Sequence, residues 1–180
     1  IGASILVLHP TCLGLRRPEH RMDVPEVRRI AQYAGSRDVC LALENTTNTL
    51  WLLDRVLDAI GGDPERTNLG ICIDTGHAHL SQDAGRNPID NYLERYAGPL
   101  VHLHVHDNHG VSDEHLVPGD GTIDWDRVLG TLDRIGFRGA GVLELHPAAS
   151  EAVSAAIGRA RSFLGWMPSG GHAHLGQAAD

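Results

Sequence analysis

Short apolar, β-branched runs recur along the chain, and between them apolar residues fall every three or four positions. The runs are "ASILVLH" (3–9), "VCLALE" (39–44), "LGICID" (69–74), "LVHLHVH" (100–106) and "AGVLEL" (140–145). Near-continuous hydrophobicity over six or seven residues suits strands buried on both faces, as in a parallel sheet. The intervening stretches carry a single apolar stripe at helical spacing: Val24, Val27, Ile30, Ala31 and Ala34, then Leu50, Leu53, Leu57 and Ile60. A shorter helix is predicted over 88–96, starting near Pro88. Another is predicted after Asp124, a residue suited to cap it, with Trp125, Val128, Leu129, Leu132 and Ile135 on one face. A last helix is predicted over about 150–164, burying Val153, Ala156, Ile157, Ala160 and Phe163. Alternating strand and helix signals predict an α/β fold of the TIM-barrel type. With about five βα units the repeat is incomplete, and it is expected to correspond to strands 4–8 of eight. The expected domain is 1–165, with 166–180 as a C-terminal tail.

Composition narrows the chemistry. No apolar run approaches the roughly 18–20 residues that span a bilayer, and no basic segment leads into an apolar one at the N-terminus, so a cytoplasmic protein without a membrane partner is expected. Cys12, Cys40 and Cys72 are odd in number and widely spaced, which argues against disulfides and a zinc–thiolate site. All 15 basic residues are Arg, which removes Schiff-base chemistry and lysine bases. The net charge of −8 speaks mildly against a broad nucleic-acid face. No Gly-rich element matches a dinucleotide fingerprint or P-loop, so no nucleotide cofactor is expected.

The residues at the strand ends carry the strongest functional signal. The five runs deliver His9, Glu44, Asp74, His104 and Glu144 in turn. A barrel of parallel strands builds its active site at the C-terminal strand ends, so these side chains are expected to converge. One strand-end Asp or His more often caps a helix, but five from five strands form a mixed oxygen and nitrogen set suited to Mn²⁺, Zn²⁺, Mg²⁺ or Co²⁺. Within 104–125, Asp113 and His115 are spaced D-x-H, which in an extended loop puts both on one side to grip a second ion. The competing reading is a solvated acidic loop. Gly119 and Gly121 are expected to let the loop turn back towards the following helix. His102 reads as a hydrogen-bonded interior residue, His79, His106 and His109 as loop or supporting groups, and the "HAH" of 172–174 as tail. Trp51, Trp125 and Trp166 fall at helix or helix-end positions and call for no ligand.

The segments "LALEN", "GICIDTGH", "VHLHVHDN", "DEHLVPGDGTIDW" and "GVLELHP" together resemble the successive strand-end motifs of the xylose isomerase-like TIM barrels. That group includes the sugar phosphate isomerases and epimerases and, more distantly, the endonuclease IV type of abasic-site nuclease (AP endonuclease family 2). The resemblance covers about residues 3–147. It implies that Glu44, Asp74, His104 and Glu144 ligate a first metal, that Glu44 and Glu144 exchange protons with substrate, and that His77 contacts substrate oxygens. In the nuclease type, residues matching His9, His77, Asp113 and His115 help hold a multinuclear zinc cluster. Two departures bear on the choice. "ENTTNTLW" stands where the nucleases carry a Gly/Gln-rich turn, and their Lys-bearing motif has no Lys counterpart. Gly110 stands where some ketose epimerases place an Arg.

The leading expectation is an enzyme: a metal-dependent isomerase or epimerase of a sugar, sugar phosphate or related polyol. Its ion would hold adjacent oxygens and stabilise an enediolate while two carboxylates, one ionised and one protonated, move the proton. Its partner would be a small sugar-like molecule. DNA is a partner only under the alternative, zinc-dependent cleavage at abasic sites. A third reading is an inactive truncated product, whose open sheet edges would favour homo-oligomers.

Overall fold

A computed structural model describes residues 2–10, 24–47, 49–60, 64–82, 85, 88–146, 154–156, 158 and 159. Five strands, β1 (Ile5–Leu8), β2 (Cys40–Glu44), β3 (Leu69–Asp74), β4 (Leu100–Val105) and β5 (Ala140–Leu143), form one sheet in the order β1-β2-β3-β4-β5. Every neighbouring pair is parallel. Sequential parallel pairing with helical crossovers curls the sheet into a half-barrel, as the run pattern predicts.

The helices are α1 (Val24–Gly35), α2 (Leu50–Ile60), α3 (Pro64–Thr67), α4 (Thr75–Leu80), α5 (Pro88–Arg95) and α6 (Trp125–Arg134). The described residues of the predicted last helix, 154–156, 158 and 159, are helical; the rest of that segment, Cys12, Trp166 and the 172–174 HAH lie outside the described residues. Stripe and core agree in α1 and α6, where Val27, Ala31, Ala34, Val128 and Leu132 are buried. In α2 Leu53 is buried as predicted, but Leu52 and Val56 join it while Leu50 and Leu57 pack half-buried at the edge, so the inward face is turned from the predicted stripe. The buried residues of the three helices pack on the outward side chains of the sheet, Leu41, Leu43, Ile71, Ile73, Leu103 and Val105. Asp124 caps α6 as expected, its carboxylate accepting from the Arg127 N–H. Two short helices, α3 and α4, escape the sequence reading because four and six residues are too few to show a 3.6-residue period. Among the described residues, no helix is long and apolar enough to cross a membrane.

Outward positions on each strand alternate with positions facing the inside of the half-barrel. On β4, His102 and His104 share the inner face, and His106 continues it just beyond the strand. One expectation is corrected here. His102 is buried, but its Nδ1 has no hydrogen-bond partner among the described residues; its ring instead meets that of His104 edge-on at 5.4 Å. Burial, with the neighbouring His104, pushes its imidazole down to about 4 and keeps it neutral.

Candidate metal centre at the strand ends

All eight sequence-predicted site residues come together at the C-terminal edge of the sheet. Asp74 ends β3 and caps α4, with Oδ1 accepting from the His77 N–H at 2.7 Å. That cap turns the chain sharply and brings His77 back over the strand ends. Asn45, also wholly buried, pairs with the backbone of Asp74 in both directions: Nδ2 donates to the carbonyl at 3.1 Å, and Oδ1 accepts from the N–H at 2.7 Å. The side chain of Asn45 thereby extends the β2–β3 pairing by one rung and fixes Asp74 beside Glu44.

Glu44 is the hub. Its Oε1 lies 3.3 Å from His9 Nε2 and from His77 Nδ1, and its Oε2 lies 3.2 Å from His104 Nδ1. His104 Nδ1 is also 3.2 Å from Glu144 Oε1. Ligand atoms of Glu44, Asp74 and His77 form one close group, and those of Asp74, His104 and Glu144 another. Burial alone would raise the Glu44 carboxyl, but the imidazoles of His104, His77 and His9 overrule it and hold it well below the usual carboxylate range. The same carboxylates pull His104 upward against its own burial. Glu144 is the open member, its side chain 37% exposed where that of Asp74 is 0% exposed. Cys72 lies beneath this group, within ligand distance of Glu44 and His104. Burial and the nearby carboxylates push its thiol far up, in keeping with its reading as a core residue.

Two observations test these residues as a cation site. His104 Nδ1 is buried and has no hydrogen-bond partner, although two carboxylate oxygens stand 3.2 Å away. Such separations exceed the roughly 2.7–2.9 Å of a charge-assisted hydrogen bond. They lie close to the edge of about 3.3–3.6 Å between ligands of a tetrahedral ion bonded at about 2.0–2.2 Å. The donor set of three carboxylates and an imidazole fits a hard or borderline divalent ion.

Beside this group lies a second one, richer in nitrogen. Asp113 Oδ2 is 3.2 Å from His77 Nε2 and 3.3 Å from His115 Nε2. The other ring nitrogens face backbone carbonyls: His77 Nδ1 stands 3.0 Å from Asn45 O, and His115 Nδ1 stands 3.0 Å from Glu144 O. A carbonyl only accepts, so each Nδ1 carries its hydrogen and each Nε2 is turned towards a carboxylate. Only a proton or a cation between them reconciles that arrangement. Burial pushes His77 down, but Glu44, Asp74 and Asp113 more than reverse this and raise it to about 9. The extended loop expected around Asp113 and His115 is not what joins them, because His115 takes a left-handed φ of 52°.

His106 is the residue whose part the sequence reading understates. It is wholly buried, its Nε2 lies 3.0 and 3.1 Å from the two oxygens of Asp74 and 3.7 Å from Asp113, and its ring stacks on His115 at 4.0 Å. The signal that finds it is the alternation His102, His104, His106, which puts all three on one side of β4. Of the remaining histidines, His146 meets the His115 ring at 4.5 Å, while His79 contacts Thr122 and His109 contacts Glu114.

Comparison with known proteins gives the same picture of the fold. The chain is 36% identical over 149 residues to an uncharacterized protein of Methanocaldococcus jannaschii, covering 77% of this chain and 50% of that one. It is 31% identical over 58 residues to the fructoselysine 3-epimerase of Shigella flexneri, covering 32% of this chain and 21% of that one. Among solved structures, a D-tagatose 3-epimerase-like protein superposes with a TM-score of 0.66 at 25% identity, over 91% of this chain and 61% of that one. The chain thus spans about half the length of the first of these relatives. The family model of the xylose isomerase-like TIM barrel matches residues 1–164, and the chain belongs to that family.

Proposed function

We propose that these residues form the centre of a divalent-metal-dependent isomerase or epimerase acting on a sugar or related polyol. The observation that carries this reading is the convergence of Glu44 and Glu144 on His104, each 3.2 Å from its Nδ1, one carboxylate buried and the other open. Glu44, Asp74, His104 and Glu144 would hold the ion. When bound, it would supply Lewis-acid polarisation of adjacent carbonyl and hydroxyl oxygens. Glu144, the accessible carboxylate, takes the proton from the carbon next to the carbonyl. Glu44 is the second group of the pair: with the proton that the His77 imidazolium, 3.3 Å away, passes to it, Glu44 returns one to the opposite face of that carbon, and Glu144 loses to solvent the proton it took. His77 stands between the two clusters and contacts substrate oxygens. The relatives named as sugar 3-epimerases support the substrate class.

The test is elemental analysis of the purified chain together with a panel of ketoses incubated in deuterated water and followed by NMR. Wild type incorporates deuterium next to the carbonyl. Glu144→Gln keeps its circular dichroism and loses exchange by about 10²-fold or more, the usual size of a lost acid–base group. Normal exchange in that variant sinks the assignment. A second reading, phosphodiester cleavage at abasic DNA, is favoured by the nitrogen-rich cluster of His77, Asp113 and His115. Nicking of an abasic duplex that disappears in His115→Ala, without deuterium exchange on any sugar, would replace the first reading by the second.

A further inference from the structure

Asp107 has the type, burial and position of a metal ligand: it follows the His104 and His106 alternation directly and is 0% exposed. Its surroundings say otherwise. Oδ1 accepts from the backbone N–H groups of Asn108 at 2.8 Å and Ile123 at 3.2 Å. Oδ2 accepts from the Gly119 N–H at 2.9 Å and from Trp125 Nε1 at 2.8 Å. An ionised carboxylate offers about four lone-pair positions, and here the protein fills them all. The backbone of Asp107 is tied as well, exchanging both hydrogen bonds with Leu116 at 2.9 Å. Gly121 leaves room for the arrangement, since a Cβ there would stand 2.3 Å from Oδ1.

The donors come from Asn108 at the start of the loop, from Gly119 and Ile123 beyond its tip and from the first residue of α6, so one carboxylate gathers both ends of 108–125. Asn108 ties the same loop to α4, its Nδ2 donating to the Gly76 carbonyl at 3.0 Å. The stretch closed by the Asp107 and Leu116 pairing carries Asp113 and His115. We propose that Asp107 is a positioning residue that holds no ion itself and sets the loop so that Asp113 and His115 face His77. The proposal rests on the reading of those three residues as part of the centre, but the clamp itself stands on hydrogen bonds alone.

Amide hydrogen exchange of the chain without added metal tests it, with the visible spectrum of added Co²⁺ as a second readout. In Asp107→Asn an amide group faces two donors, so amides of 108–122 exchange about tenfold faster or more, while those of β2 and β3 keep their rates. Its Co²⁺ spectrum shifts to match that of Asp113→Asn, whose loop amides stay protected. Trp125→Phe, which removes one of the four donors and keeps a ring, accelerates the same amides by less. Wild-type rates in the loop of Asp107→Asn overturn the proposal. So does acceleration spread evenly over the sheet, which marks a merely structural residue, or a lost ion with unchanged loop rates, which marks a ligand. If Co²⁺ binds neither wild type nor variant, the metal-dependent function fails while the exchange data still decide the clamp.

Discussion

Asn45 shows how much of the centre hangs on a residue with no chemistry of its own. Its side chain is the partner of both backbone groups of Asp74, and all of these atoms are buried. Asn45→Ala leaves the Asp74 N–H unpaired at about 1–3 kcal/mol, less whatever water can enter, and takes one donor from a carbonyl that, at the N-cap of α4, keeps its helical hydrogen bond. The expected loss is about 1–3 kcal/mol of stability in urea unfolding, with the midpoint falling at unchanged slope. Asn45→Asp keeps the acceptor but not the donor and should fall between. At this scale the sequence yields the ligand candidates, because a strand-end Asp, Glu or His is a visible exception in an apolar run. It does not yield Asn45 or Asp107, whose partners are backbone groups 29 and up to 16 residues away. Nor does it show that the indole of Trp125 donates a hydrogen bond to the latter.

The short helix α4 links strand to site, and its glycine is a steric requirement. A Cβ on Gly76 would stand 1.9 Å from Cε1 of His106. That ring has no easy escape, being fully buried, bonded to Asp74 and stacked on His115. In a helix, Gly→Ala usually gains about 1 kcal/mol from propensity, whereas overpacking a filled site costs about 1–3 kcal/mol. Packing should win: Gly76→Ala is expected to be net destabilising by thermal melting and to move the His106 ring resonances in NMR. Equal or higher stability with unmoved resonances would show that the ring gives way freely. Strands and long helices are legible from sequence because each repeats its period several times. β3 falls on 69–74 as predicted and α1 follows its stripe, whereas α2 lies where predicted but buries Leu52 and Val56 beside Leu53. Short elements such as α4 depend on one cap and one close contact, which periodicity does not encode.

At the scale of the whole molecule, the candidate ligands come from every described strand. His9 follows β1, Glu44 ends β2, Asp74 ends β3, His104 lies on β4 and Glu144 follows β5. The described strands pair only in sequence order, so β1 and β5 meet no strand on their outer edges among the described residues. The inner face near β5 is correspondingly open, with Val142 48% exposed. Sheet hydrogen bonds alone therefore leave the two outer strands held from one side. An ion bound by Glu44, Asp74, His104 and Glu144 would join β2, β3, β4 and β5 at one point, and through the contact of His9 with Glu44 it would draw in β1. Binding to the folded state alone, at a hundred times the dissociation constant, stabilises by about 2.7 kcal/mol. For a chain of this size each kcal/mol moves the thermal midpoint by about 2–4 °C. Saturating Co²⁺ or Mn²⁺ should therefore raise the midpoint by on the order of 5–10 °C. Chelation should reverse the rise, and Glu44→Gln, which removes the hub, should abolish it. The same rise in Glu44→Gln would place the ion elsewhere on the protein. No rise in wild type, in a chain whose circular dichroism is that of a folded α/β protein, would mean that these strand ends converge without binding the tested ions.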